Sequence, residues 1–180
     1  MARAVSLMRR QLNTRIGGMI FATDAQGMGE GDLGGYGVVG SMATEEEITS
    51  ILKLGELPGL TVRRASQFEG LRNADSLRPT VPVSRINHNI FEQTRWQTLM
   101  KGRWKLGDHI TLGECRAFLK LLRHLSTFPE THKSLVISFQ DNMAAACSFK
   151  KGRSPSFPIL RILRQKAATA LVCGFKVFMP

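Results

Sequence analysis

The hydrophobic pattern begins with two short apolar runs that glycines separate. The run at 16–23 is followed by an aspartate and predicts a strand that ends at Asp24. Glycines at 27, 29 and 31 indicate a turn, and GGYGVVG at 34–40 predicts the returning strand. We therefore expect a β-hairpin in the first part of the chain.

The stretch 44–99 has a different pattern. Its three glutamates at 45–47 predict the start of a short helix, because acidic side chains favour the first helical turn. Glycines and prolines between 55 and 82 interrupt the rest of the stretch. This pattern predicts an irregular insertion with one or two short helices.

The second half of the chain predicts further strands and helices in alternation. Apolar residues recur at helical spacing over 112–125, and LVISF at 135–139 is typical of a buried strand. The predicted elements are a strand within 103–110, helices at 112–125, 143–149 and 156–172, and strands at 135–139 and 175–179. This order predicts an α/β fold with a mixed sheet of about five strands flanked by helices.

Positive charge is concentrated in the second half. The chain has a formal charge of +11, and residues 101–180 hold 14 Lys and Arg against 4 Asp and Glu. A field of one sign raises the local concentration of phosphate groups. The distribution therefore indicates a polyanionic partner, and it makes each remaining acid conspicuous.

Cysteine usage and hydropathy narrow the class of protein further. The three cysteines form no CxxC pair, and with the four histidines they show no zinc spacing, so we expect reduced thiols in an intracellular chain. No apolar run approaches the ~20 residues of a membrane span. We interpret residues 1–15, which are basic and contain no acid, as a linker or N-terminal helix, and residues 16–180 as one domain.

Three acids occupy places where side chains from distant segments could meet. Asp24 ends the first predicted strand, Glu114 lies near the start of the main helix, and Asp141 follows the 135–139 strand. Clustered carboxylates repel one another unless a cation holds them, and their hard oxygen ligands suit Mg²⁺ or Mn²⁺. Each acid also has a structural explanation: a turn residue, a helix-dipole partner and a helix cap, respectively.

The ordered motifs resemble the ribonuclease H domains of retroelements, with the closest likeness to the DIRS-like, tyrosine-recombinase type. T-D-A with G-G-Y-G-V-V-G resembles their first hairpin, and W-x3-D-H-I-T-L-G-E-C-R-A-F resembles the start of the helix that carries the catalytic glutamate. V-I-S-F-Q-D-N-M-A-A, K-K-G-R-S and I-L-R-I-L-R are similar to the third catalytic motif and the helices after it. The resemblance covers about 16–43 and 100–180, and leaves 44–99 outside.

This resemblance implies a two-metal nuclease that cuts the RNA strand of an RNA–DNA hybrid beside a reverse transcriptase domain of the same polyprotein, in the cytoplasm or the nucleus. It implies that Asp24 bridges two Mg²⁺ or Mn²⁺ ions, while Glu114 and Asp141 complete the ion on the leaving-group side. By the same resemblance, four residues at the end of the short helix would contact nucleic acid: Lys150, Lys151, Arg153 and Ser154.

One departure and three rival interpretations accompany this hypothesis. The family supplies a fourth acid just after the last strand, which this sequence does not contain before Pro180, so we expect weak metal binding and slow or absent cleavage. A transposase or integrase is disfavoured because its glutamate comes last. A catalytically inactive nucleic-acid-binding or structural remnant of a polyprotein stays open, as does a basic α/β domain whose acids never meet.

Overall fold

The computed structural model describes residues 14–27, 33–56, 88–105 and 107–180. The predicted N-terminal linker or helix (apart from residues 14 and 15), most of the predicted hairpin turn and the central part of the segment 44–99 lie outside these residues. Within the described residues, the elements are β1 (Arg15–Gln26), β2 (Gly35–Met42), α1 (Glu45–Glu56), β3 (Gln97–Arg103), α2 (Ile110–Ser126), β4 (Ser134–Phe139), α3 (Met143–Lys151), α4 (Phe157–Cys173) and β5 (Lys176–Phe178).

The five strands form one mixed sheet in the order β3-β2-β1-β4-β5. The first three strands are antiparallel neighbours, whereas β4 runs parallel to β1 and β5 runs parallel to β4. This arrangement confirms the predicted α/β fold with a mixed sheet flanked by helices.

Hydrophobic residues cover both faces of the sheet. Neighbouring residues of a strand point to opposite faces, so Phe21 packs in one core and Ile20 in the other. The larger core lies under α2, α3 and α4, with Phe118 and Leu122 fully buried. The smaller core joins the sheet to α1 through Ile48 and Ile51, together with Ile90.

The predicted position of the third strand is wrong. β3 ends at Arg103, where the prediction placed the start of that strand, and α2 already begins at Ile110. β3 lies at the sheet edge and exposes most of its side chains, so it lacks the apolar alternation that marks a half-buried strand. Trp104, which lies in the range predicted for the strand, packs against Tyr36 at 4.8 Å between ring centroids.

The described part of the segment 44–99 contributes to the packed structure. α1 begins at Glu45, which confirms the helix predicted from the three glutamates.

The three cysteines carry free thiols, with Cys115 and Cys173 buried and Cys147 half-buried. No helix in the ranges that the structure describes is both long and apolar enough to cross a bilayer.

Candidate metal centre

Asp24 lies inside the hairpin ladder and not in its turn. It occupies β1 opposite Gly37 of β2, two residues before the strand ends at Gln26. Its side chain is exposed. The turn explanation for Asp24 therefore does not hold, and the carboxylate is presented on the sheet surface.

Asp141 reaches the same edge because β4 runs parallel to β1. Ala22 pairs with Phe139, so Asp24 and Asp141 each lie two residues beyond this pair at the carboxyl ends of adjacent strands. The cap of α3 is Asn142, whose Oδ1 accepts from the Ala145 N–H at 3.0 Å. Asp141 is therefore not needed as the helix cap.

Glu114 comes from the helix that crosses the larger core. The N-cap of α2 is His109, so Glu114 lies beyond the first turn and is not placed to complement the helix dipole there. The Ala25 N–H donates to Glu114 Oε1 at 3.0 Å, which fixes the carboxyl beside β1. The helix and the strand approach closely here: a Cβ on Gly113 would make a tight contact of 3.3 Å with the Ala25 Cβ.

The structure brings these three acids together. One carboxylate oxygen each from Asp24, Glu114 and Asp141 lie within 4.8 Å of one another. The predicted convergence of three distant segments on one patch is thus confirmed, and a domain whose acids never meet is excluded. Asp108, another acid of the second half, instead forms an ion pair with Arg116.

Glu114 is the buried member of the cluster. Only 2% of the residue is exposed, and its Oε2 has no hydrogen-bond partner among the described residues. Burial, with the nearby charges of Asp24 and Asp141, raises the pKa of Glu114 to about 7, against the lowering effect of the Ala25 N–H. The charged form of Glu114 is therefore only partly compensated, because the Ala25 N–H binds one of its two oxygens.

This donor set fits divalent cations. Three carboxylates that repel one another, one of them buried with an unpartnered oxygen, are stabilised by a hard cation that accepts oxygen ligands. Asp24 and Asp141 are exposed, so an ion at this patch would keep coordination positions that face solvent and can accept a substrate oxygen. The residues that would hold such ions are Asp24, Glu114 and Asp141.

Two supporting contacts were not predicted from the sequence. The Gln140 Nε2 donates to the Glu114 main-chain carbonyl at 3.3 Å, which links the end of β4 to α2. The Ala25 N–H is a backbone donor and so has no residue-type signal at all. Gln140 could have been suspected only from its position beside Asp141.

The predicted nucleic-acid-binding residues come shortly after Asp141 in the chain. Lys150 and Lys151 form the last turn of α3 and are exposed, and the basic turn starts after them at Gly152, with φ 64°. Arg153 is exposed, whereas the Ser154 Oγ accepts from the Ser156 N–H at 3.2 Å. Ser154 therefore has a local structural contact.

Comparison with known proteins gives no sequence match and a structural likeness at low sequence identity. No family model matches the chain, and no curated protein sequence matches it. Among solved structures, the chain is similar to LC11-RNase H1, crystallised in complex with an RNA/DNA hybrid. The TM-score is 0.46 and the identity 12%, over 90% of this chain and 84% of that chain.

Proposed function

We propose that the chain is a metal-dependent nuclease of the ribonuclease H type that hydrolyses the RNA strand of RNA–DNA hybrids. The observation that carries this proposal is the convergence of Asp24, Glu114 and Asp141 within 4.8 Å. These residues would hold two divalent ions, which would supply charge stabilisation for an in-line displacement at phosphorus. Mg²⁺ or Mn²⁺ suits the all-oxygen ligand set.

The residues of the chain have distinct tasks in this proposal. Asp24, Glu114 and Asp141 would hold the divalent ions, which would supply charge stabilisation at phosphorus. By the resemblance of the sequence motifs, Asp24 would be a ligand of both ions, and Glu114 and Asp141 would complete the ion on the leaving-group side. The Ala25 N–H holds Glu114 in orientation, so that its unpartnered Oε2 is free for the ion and stays close to the ribose 2′-hydroxyl.

Charge supports nucleic acid as the substrate class. The chain carries +11 overall, and Lys150, Lys151 and Arg153 are exposed in one short segment that follows Asp141. Lysine and arginine contacts to phosphates position a duplex without reading its sequence. We include Ser154 in this contact region.

The wider context of the proposal comes from the sequence motifs. We propose that residues 16–180 form the ribonuclease H-like domain of a DIRS-like retroelement polyprotein, with 1–15 as linker or helix and 44–99 as an insertion. In that setting the domain acts beside a reverse transcriptase domain, inside the cell.

Cleavage of a labelled hybrid tests the nuclease proposal. We expect slow, Mg²⁺- or Mn²⁺-dependent cutting of the RNA strand that Asp24→Asn and Asp141→Asn each reduce by about 100-fold or more. Glu130→Gln, which removes an exposed acid outside the cluster, is the matched control. The same variants are titrated with Mn²⁺ by calorimetry, because ion binding reports on the carboxylates even when turnover is slow.

Three results would contradict the proposal. Cleavage by Asp24→Asn at the rate of Glu130→Gln would exclude the cluster as the active site. Equal cleavage of RNA duplexes and RNA–DNA hybrids would exclude the hybrid as the specific substrate. Absence of turnover by the unaltered chain in either metal, with hybrid binding that Asp24→Asn leaves unchanged, would favour a nucleic-acid-binding remnant.

A further inference from the structure

Two rows of paired residues cross the sheet beside the carboxylates. Asp24 pairs with Gly37, and Gly37 pairs with Lys101 on β3. The next row on the same face is Gln26, Gly35 and Arg103, because residues two apart in a strand share a face. Cations thus stand two strands away from the metal centre, on the same surface as Asp24.

The two glycines leave a trough between these side chains. Its volume is about 510 Å³, with Gly35 and Gly37 in the floor. Asp24 and Gln26 line one side, and Lys101 and Arg103 line the other. The trough therefore opens directly onto one of the proposed metal ligands.

The two glycines in the floor differ in whether their surroundings leave room for a side chain. A Cβ on Gly35 would lie 2.7 Å from the Gly102 carbonyl oxygen, so packing explains that glycine. A Cβ on Gly37 would meet nothing within 4 Å, and its φ is not among the positive values of the described chain. Neither packing nor backbone conformation requires glycine at 37, and a glycine within a strand often marks close approach of a ligand.

The cations on the far side of the trough are available for a ligand. Lys101 and Arg103 are exposed, and neither forms an ion pair with an acid in the described part of the chain. Lysines on edge strands also discourage association between sheets. Protection of the edge strand predicts that replacing Lys101 leaves nucleic-acid binding unchanged, so a binding experiment distinguishes this role from contact with a ligand.

We propose that this trough seats the sugar–phosphate backbone of the strand that is cut, with Lys101 and Arg103 on phosphates next to the reacting one. The proposal rests on the nuclease function above and extends its substrate site onto β3. Two strand spacings separate Asp24 from Lys101, about 10 Å, so the lysine faces a neighbouring phosphate and not the one at the carboxylates. Gly37 lets the backbone lie close to the sheet.

Equilibrium binding of a fluorescent RNA–DNA hybrid, measured in EDTA so that no cleavage intervenes, tests the cations. We expect Lys101→Ala and Arg103→Ala each to weaken binding about fivefold and to lower the slope of log K against log salt by about 1. Lys176→Ala is the matched control, because it removes an exposed lysine from the opposite edge strand. Its binding should equal that of the unaltered chain.

A second variant tests the floor of the trough. Gly37→Val should leave the melting temperature unchanged or higher, because its Cβ enters open space in a strand. It should nevertheless weaken hybrid binding about tenfold, because the added side chain keeps the nucleic-acid backbone away from the sheet. Gly17→Val, at another glycine of the sheet whose Cβ has only an ordinary contact at 3.9 Å, is the control.

The outcomes separate this inference from the nuclease proposal. Binding by Lys101→Ala and Gly37→Val equal to that of their controls would overturn the trough, even if Asp24→Asn abolishes cleavage. Weaker binding by both variants would support the trough, even if no variant cleaves. Failure of the unaltered chain to bind hybrid at low salt would overturn the trough, and the cleavage assay would decide the nuclease proposal separately.

Discussion

At the scale of single residues, the candidate site contains one side chain, Glu114, whose charged form destabilises the metal-free fold. Glu114 is buried, and the Ala25 N–H satisfies only one of its oxygens. As the pH rises from 4.5 to about 7, the folded protein retains a proton that the unfolded chain releases. The free energy of unfolding therefore falls over this window when no cation is bound.

We predict that Glu114→Gln stabilises the metal-free protein at pH 8. Each pKa unit corresponds to about 1.4 kcal/mol, so the rise in pKa from 4.5 to about 7 sets an upper limit of about 3.5 kcal/mol on the gain. At pH 4 the carboxyl is protonated in the folded state, so the variant should gain little. Urea unfolding in EDTA at both pH values measures the difference.

The matched control for this prediction is Glu130→Gln, which changes an exposed acid. A Glu114→Gln variant that is destabilised equally at pH 4 and pH 8 would show that shape, and not charge, determines its effect. Added Mn²⁺ should stabilise the unaltered chain and leave Glu114→Gln nearly unchanged, since the variant lacks a charged ligand.

The same scale shows what the sequence could predict about the site. The acids at 24, 114 and 141 were identifiable because few acids interrupt the basic second half and each lies near an element end. The contacts that orient Glu114 were not identifiable. The Ala25 N–H donor and the Gln140 bridge to the Glu114 carbonyl arise only from tertiary packing.

At the scale of elements, a capping arrangement ties α1 to the sheet. The Thr44 N–H donates to Glu47 Oε2 and the Glu47 N–H donates to Thr44 Oγ1, a reciprocal N-terminal cap. Arg95 donates to both oxygens of Glu47, at 2.8 and 2.9 Å, and to the Met42 carbonyl. One arginine thus joins the end of β2, the start of α1 and the segment before β3.

We predict that Glu47→Gln destabilises the protein at neutral pH but not in strong acid. The Arg95 guanidinium, followed by the Thr44 N–H, lowers the pKa of Glu47 from 4.5 to about 2. The stabilisation is therefore present above pH 4.5 and is lost as the pH falls through about 2. Because solvent screens this partly exposed pair, we expect a loss of about 1 kcal/mol at pH 7.

Urea unfolding at pH 7 and pH 2 measures this loss, with Glu45→Gln, an exposed acid of the same helix, as control. An equal loss for both variants would reduce the effect to the helix dipole. A loss that persists at pH 2 would contradict the ionic origin.

Elements were predictable where their apolar residues repeat. α2 and β4 carry buried residues at regular spacing, and their predicted positions are confirmed within a few residues. β3 was misplaced because an exposed edge strand shows no such repeat. The contribution of α1 was not predicted, because its Ile48 and Ile51 meet Ile20 and Ile137 only across the folded sheet.

At the scale of the whole molecule, an acidic patch lies within a strongly basic chain. The net charge of +11 attracts a polyanion, whereas three adjacent carboxylates repel it locally. Bound divalent ions reverse the local sign. Long-range attraction of the substrate therefore weakens as monovalent salt is added. Reaction at the carboxylate cluster instead requires divalent cations.

This division of roles gives a final prediction for the segment after Asp141. The combined substitution of Lys150, Lys151 and Arg153 by alanine should lower the salt slope of hybrid binding by about 3, one unit for each phosphate that is no longer neutralised. Binding should weaken equally for hybrids of different sequence, because phosphate contacts carry no sequence information. The Mn²⁺ affinity of the carboxylates should not change.

The charge-matched control replaces three other basic residues by alanine, so that the net charge falls by the same amount: Arg161, Arg164 and Lys176. An equal slope for both triple variants would show that the total charge attracts nucleic acid and that the 150–153 segment is no specific contact.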